Sequence, residues 1–151
     1  MRYALIYGTF AGIIIFGLSA LVFLSGLLGH IDNPLYGYLI MIVGLTMIFV
    51  GVKRYRDVEK GGTIRFGEAL AVGLGIALVA SLIYVGGFEA YYATAPGSEL
   101  FDMIVGIEPR YAGILFRWAW GLFEILPADL IVALGSAAIL RNPRVLPARA
   151  V

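Results

Sequence analysis

The chain has 151 residues, of which 61% are hydrophobic and only 14% charged, and its mean hydropathy is +0.93. Ordinary soluble domains are about 45–50% apolar and about 25% charged, so this composition excludes a soluble globular domain and indicates an all-α integral membrane protein. The chain has no cysteine and a single histidine, His30, which excludes disulfides, thiolate chemistry and Cys-ligated metal sites. We therefore expect no metal and no cofactor, and we interpret His30 as an interfacial loop residue.

Four apolar segments, at about 3–29, 35–53, 67–92 and 112–140, are long enough to cross a bilayer as helices. They predict one domain over residues 1–151, a four-helix transmembrane bundle. The first segment is longer than the roughly 7–15 apolar residues of a secretory signal peptide, so we expect it to be retained as the first span.

The connections between the spans carry turn signals. Pro34 is well placed to open the second helix, which we expect to run past the membrane into the basic loop 53–66. In that loop, Gly61–Gly62 predicts the left-handed backbone that ends the second helix, and Thr63 is a candidate N-cap for the third. In the third connection, Pro96–Ser98 predicts a turn, followed by a short amphipathic helix along the membrane interface.

The basic residues lie almost entirely on one side of the predicted membrane. Nine of the eleven flank the spans there: Arg2, Lys53, Arg54, Arg56, Lys60, Arg65, Arg141, Arg144 and Arg149. The other side is acidic, with Arg110 its one base among Asp32, Glu99, Asp102 and Glu108. Because cytoplasmic flanks of membrane helices are enriched in Lys and Arg, we predict that the N-terminus and the tail 141–151 are both cytoplasmic.

Small residues recur along the predicted helices at the spacing that allows helix backbones to approach each other. They are Gly8 and Gly12 on the first helix, Gly37, Gly44 and Gly51 on the second, and Ala69, Gly73, Ala77 and Ser81 on the third. Such seams replace the hydrophobic effect as the source of helix association in lipid. They predict a compact bundle, although the same seams would also serve a homo-oligomer or a larger membrane complex.

The last span carries ionisable residues at membrane depth, where they are costly and usually face protein or water. Counting about 1.5 Å per residue from Leu140 places Asp129 near the middle of the membrane and Glu124 in its outer half. Arg117 reaches the outer interface at the level of Glu89 on the third span, so we predict that Arg117 and Glu89 form a pair.

The two deep acids, Glu124 and Asp129, point about 140° apart on a regular helix, since each residue turns the helix by about 100°. Pro127 lies between them and predicts a kink, or a break that leaves Asp129 near the start of a new helix, as at transporter ion sites. Three roles remain open for these acids: hydrogen bonding to neighbouring helices with at least one acid protonated, proton or ion handling, and contact with a partner subunit.

The basic loop favours contact with the membrane surface, where each Lys or Arg near anionic headgroups contributes about 1 kcal/mol. Asp57 and Glu59 interrupt its positive charge, so we do not expect nucleic-acid binding. The aromatic residues near the outer ends of the spans predict a membrane-anchoring belt: Tyr91, Tyr92, Tyr111, Trp118 and Trp120.

Two parts of the chain resemble a known family. The first is Gly51–Asp57, which includes Arg54, Tyr55, Arg56 and Asp57, followed by Gly61–Ala69 with Gly61 and Gly62, and Gly73. The second is Phe123–Pro127, continuing through Leu134, Ser136–Ala137 and Ile139–Leu140. Together they resemble the small bacterial four-span inner-membrane proteins known as domain of unknown function 4199. The resemblance implies four spans and a bacterial inner membrane, and it implies no reaction. Asp129 is not part of the family pattern, so a role shared by the family would rest on Glu124 and Pro127.

No Walker loop, HExxH, GxSxG or dinucleotide fingerprint occurs in the sequence. We therefore predict a non-enzymatic protein with no catalytic residue, acting as a structural or accessory component of a membrane assembly. The alternative is a small proton- or cation-linked transporter or channel-like protein that uses Glu124 and Asp129 at a Pro127 kink.

Overall fold

The computed structural model describes residues 1–24 and 35–141, and every regular element among them is a helix. In chain order these are α1 (Arg2–Leu24), α2 (Leu35–Glu59), α3 (Phe66–Tyr92), α4 (Ala95–Ile107), a short 3₁₀-helix (Pro109–Ala112) and α5 (Ile114–Leu140). The helices α1, α2, α3 and α5 are long and apolar enough to span a membrane. The predicted all-α, four-span architecture, with a short helix in the third connection, is confirmed.

Several sequence expectations fall outside the described residues. These are the loop position of His30, the opening of the second helix at Pro34, the end of the first span at 25–29, and the tail 142–151.

The helix α3 is the centre of the bundle, because it contacts α1, α2, α4 and α5, while α2 also contacts α1 and α5. The first residues of α1 and α3 and the last residues of α2 and α5 meet at one end. There the Tyr3 hydroxyl donates to Glu59 at 3.1 Å, and the Arg141 guanidinium lies over the Phe66 ring, 5.8 Å from its centroid. We call this the basic end, since it carries Lys53, Arg54, Arg56, Lys60, Arg65 and Arg141.

The second helix ends as the sequence predicts. It continues to Glu59, beyond the predicted span end at 53, and Gly61 and Gly62 adopt φ angles of 61° and 91°. Side chains rarely tolerate this left-handed backbone, so the glycine pair is required to reverse the chain.

The prediction that Thr63 caps α3 is wrong. The N-cap is Arg65, with φ −77° and ψ 148°, and its side chain makes no capping hydrogen bond. Residues 63–65 lie outside the helices, and Ile64 within them is only 6% exposed. The buried side chain of Ile64 thus occupies the core two residues before α3 begins.

The prediction of a turn at Pro96–Ser98 is also wrong, because these residues form the first turn of α4. Proline needs no backbone donor in a first helical turn and its fixed φ suits the helix. The amide of Ser98 donates to the carbonyl of Thr94, just before the helix, at 2.8 Å.

The small-residue seams bring helices together within the chain. A Cβ atom at Gly12 would lie 2.7 Å from Ile83 Cβ and 2.8 Å from the Ala80 carbonyl oxygen, so α1 and α3 touch through their backbones. On another face of α3, a Cβ atom at Gly73 would lie 3.2 Å from Ala133 Cβ of α5.

Most of the other predicted seam residues also lie at contacts between helices. Gly8 meets α3, Gly44 meets α1, Gly51 meets α1 and α3, and the ladder of Ala69, Ala77 and Ser81 is buried, whereas Gly37 faces open space. The compact bundle is therefore confirmed, without a packing role for Gly37.

The seam between α1 and α3 predicts a sharp positional effect. We expect Gly12→Leu to destabilise the protein by about 2 kcal/mol, because overpacking a tight contact costs about 1–3 kcal/mol. The matched control is Gly17→Leu on the same helix, where an added Cβ meets no atom within 4 Å. Thermal unfolding in detergent should show a lower Tm for Gly12→Leu alone, and equal Tm values for the two variants would contradict this packing.

Candidate functional site

The α5 helix is continuous through Pro127, so the alternative in which it breaks there is wrong. Glu124 is exposed on the bundle surface, whereas Asp129 is only 1% exposed. The two acids therefore face different surroundings, as their predicted angular separation requires. They do not form one site.

Asp129 is held by a hydroxyl of the central helix. Its Oδ2 atom lies 2.6 Å from Ser81 Oγ, which in turn lies 3.0 Å from the Ala77 carbonyl oxygen. Ser81 has one hydroxyl proton, so it can donate to only one of these two acceptors. Both contacts become hydrogen bonds if Asp129 is a neutral acid that donates to Ser81, which donates to Ala77. The surroundings favour this state, since no described residue hydrogen bonds to Asp129 Oδ1 and an isolated buried charge is very costly.

The predicted pairing of Arg117 with Glu89 is confirmed. Arg117 Nε and Nη2 donate to the two Glu89 carboxylate oxygens at 2.7 and 2.8 Å, a bidentate geometry between α5 and α3. Arg117 Nη1 donates to the carbonyls of Tyr111 and Ala112 at 2.6 and 3.0 Å. This arginine therefore fixes the start of α5 to α3 and to the 3₁₀-helix.

A cavity of about 400 Å³ lies between α3, α4 and α5, on the side of the bundle away from the basic end. We call it the upper cavity. Its walls are largely aromatic and aliphatic, with acids at three positions: Tyr84, Val85, Phe88, Glu89, Tyr92, Ile104, Ile107, Glu108, Tyr111, Arg117, Trp120, Gly121 and Glu124. The predicted aromatic belt thus supplies Tyr92, Tyr111 and Trp120 to one binding-sized space.

The three acids of the upper cavity differ in their partners. Glu89 is paired with Arg117 as described above, and Glu108 accepts from Arg110 at 2.8 and 3.0 Å. The hydrogen bonds from the Arg110 side chain hold the pKa of Glu108 at about 2, so this carboxyl stays ionised but has its own counter-ion. Glu124 makes no hydrogen bond or ion pair with any described residue.

Glu124 also borders a second space, a groove of about 620 Å³ between α2 and α5 that we call the side groove. Its lining is almost wholly apolar: Tyr38, Met41, Ile42, Leu45, Trp120, Phe123, Pro127, Ala128, Ile131 and Val132. Glu124 is thus placed at the boundary between two spaces on the surface of α5.

The basic end contains a buried arginine, Arg56, in the loop that the sequence predicts to contact the membrane surface. Arg56 is fully buried, and its Nε and Nη2 lie 2.7 Å from Asp57 Oδ1. Its Nη1 donates to the carbonyl of Leu140, the last residue of α5, at 3.4 Å. Lys53 holds the other oxygen of Asp57 at 2.8 Å. The cation thus joins the ends of α2 and α5, where the helix dipole of α5 is negative.

Residues 6–107, which extend from α1 to α4, match the family described as protein of unknown function (DUF4199). The chain belongs to this family. No match was found among curated proteins or among solved structures. In this DUF4199 protein the matched residues include Gly51–Asp57 and Gly61–Ala69, so Lys53, Arg56 and Asp57 lie within the matched region. The match ends before α5, and the resemblance of Phe123–Pro127 to the last helix of the family stays a prediction.

Because Arg56 is buried, we expect its substitution to destabilise this DUF4199 protein more than substitution of the nearby Arg54. We expect Arg56→Met to cost about 3 kcal/mol, because it removes one cation of a buried ion pair and leaves the Leu140 carbonyl without its donor. Arg54→Met is the matched control, since Arg54 is exposed on the same turn of α2. Thermal unfolding in detergent should separate the two variants, and an unchanged Tm for Arg56→Met would contradict the clamp between α2 and α5.

Proposed function

We propose that this DUF4199 protein is a non-enzymatic structural or accessory component of a membrane assembly in the bacterial inner membrane. The basic end faces the cytoplasm in this proposal, with both termini on that side. The clustering of Lys and Arg at that end supports the orientation, because such residues are retained on the cytoplasmic face. The exposed Arg54 is available there for anionic lipid headgroups.

The observation that carries the assembly proposal is the side groove. It lies in the membrane-spanning part of α2 and α5, and its lining combines the small Ala128 with the protruding Phe123 and Ile131, each 69% exposed. Helices associate in lipid by van der Waals packing of such knobs and hollows. A partner helix seated there would also cover one side of Glu124.

The chain offers a clean cross-linking test, since it has no cysteine of its own. We expect Ile131→Cys, labelled with a benzophenone maleimide and irradiated in native membranes, to give a stoichiometric adduct of defined mass. The adduct mass distinguishes a second copy from another subunit. The matched control is Ile13→Cys on α1, which is 54% exposed and outside both spaces.

Two results would count against the assembly proposal. One is equal cross-linking from Ile13→Cys and Ile131→Cys, which indicates unspecific lipid-phase contacts. The other is a lone monodisperse monomer after gentle detergent extraction, with no partner at stoichiometric amount.

A proton- or cation-linked transporter is the second candidate function, favoured by the unpartnered carboxyl of Glu124 at membrane depth. Carboxyl groups facing cavities within membranes commonly carry protons or ions. The separation of Asp129 from Glu124 restricts this candidate, because Asp129 is enclosed against Ser81 and belongs to a different surface of α5.

For transport, we expect Glu124→Gln to abolish proton or cation flux in proteoliposomes. Asp129→Asn keeps a donor toward Ser81 and should preserve the fold. Its flux therefore shows separately whether Asp129 takes part in transport. Flux that survives both substitutions would exclude the two-acid mechanism, and flux lost only in Glu124→Gln would assign the role to the surface acid alone.

A further inference from the structure

We propose that the upper cavity binds a lipophilic organic cation, with Glu124 as its counter-ion. This inference goes beyond the accessory role, and it concerns the side of Glu124 away from the side groove. It rests on three features of the cavity: its size, the charge balance of its walls and its depth in the membrane.

The size and lining suit a small organic molecule. Ligand pockets usually measure about 300–1,000 Å³ and combine apolar walls with a few polar groups, and the upper cavity of about 400 Å³ falls within that range. Aromatic rings from three elements line it, including Tyr84 of α3, Tyr111 of the 3₁₀-helix and Trp120 of α5. Ring faces attract organic cations through their quadrupoles, most strongly for tryptophan.

The charge balance selects a cation over an anion. Glu89 and Glu108 are each paired with an arginine at 2.7–2.8 Å, so they contribute little net charge to the space. Glu124 adds a carboxyl for which the described residues provide no cationic partner. A bound cation completes the pairing that the chain leaves open.

The depth of Glu124 selects an organic cation over a metal ion. Glu124 lies seven residues beyond Arg117 along α5, about 10 Å deeper from that end of the bundle. A hard metal ion in such a place needs about six oxygen ligands to replace its water. The cavity offers one uncommitted carboxyl among apolar and aromatic side chains, which suits a charge spread over a bulky apolar body.

The test uses two ions of the same shape and opposite charge, tetraphenylphosphonium and tetraphenylborate. Isothermal titration of the full chain in detergent micelles, with empty micelles subtracted, should show at least about tenfold tighter binding of the phosphonium, since desolvated charge pairs contribute that much or more. Glu124→Gln should remove the preference, and Glu124→Asp should retain it. Glu99→Gln is the matched control, because Glu99 is an exposed acid of α4 outside the cavity.

A second pair of variants tests which of the two spaces binds the cation, by filling each with a tryptophan side chain. Ile104→Trp fills the upper cavity from α4 and should weaken phosphonium binding at least about fivefold, because an occupied pocket excludes the ligand. Ile42→Trp adds the same bulk to the side groove and should leave binding unchanged.

The proposal is overturned if the wild-type chain binds neither ion or binds both alike, or if Glu124→Gln keeps the preference for the phosphonium. It is also overturned if Ile42→Trp weakens binding as much as Ile104→Trp. Should Glu124→Gln fail to fold, the comparison of the two ions on the wild-type chain and the tryptophan pair still decide. None of these results depends on the cross-linking from the side groove, so the accessory role and the cation site stand or fall separately.

Discussion

The close approach of α3 to its neighbours is the constraint on which the rest of the bundle depends. Lipid is as apolar as the side chains it surrounds, so helices in it gain stability chiefly from van der Waals contact and internal hydrogen bonds. Gly12 brings α1 against the backbone of α3, and Gly73 brings α5 within contact of another face of α3. These two seams set the positions of α1 and α5, and the polar pairs that join the helices follow from them.

Three ionisable side chains within this frame are paired with groups inside the bundle. Near one end, Arg117 uses its whole guanidinium on Glu89 and two carbonyls. At the basic end, Arg56 is placed between Asp57 and the end of α5. In the middle, Asp129 is closed against Ser81. Each group takes part in at least one hydrogen bond to another helix of the bundle.

Much of this architecture could be predicted from the sequence because it depends on local properties. Hydropathy located the four spans, and the glycine pair at 61–62 marked the end of α2. The level and separation of Glu89 and Arg117 predicted their pairing, since antiparallel helices of known length have a fixed register. The angle between Glu124 and Asp129 correctly separated the two acids.

The errors and omissions involve tertiary contacts. Thr63 is a good cap by residue type, but the burial of Ile64 moves the helix start to residue 66. Pro96 has a turn-like composition around it, yet proline is equally suited to the first turn of α4. The burial of Arg56 depends on where α5 ends, 84 residues later in the chain, and no local pattern encodes that distance. The cavity beside Glu124 depends in the same way on the position of α4.

Glu124 differs from Arg56, Arg117 and Asp129 because it is exposed and has no partner among the described residues. One turn away, Pro127 has no amide proton to donate, so the carbonyl of Phe123 lacks its usual helical donor. The carboxyl and this backbone acceptor therefore belong to adjacent residues, Glu124 and Phe123, both of which are exposed. The carbonyl accepts hydrogen bonds, and the carboxyl accepts them or, when protonated, also donates one. Lipid chains offer neither donors nor acceptors. Since Arg56, Arg117 and Asp129 show that the sequence can enclose polar groups, the exposure of Glu124 at this depth favours completion from outside the bundle, by a ligand, a proton pathway or another protein.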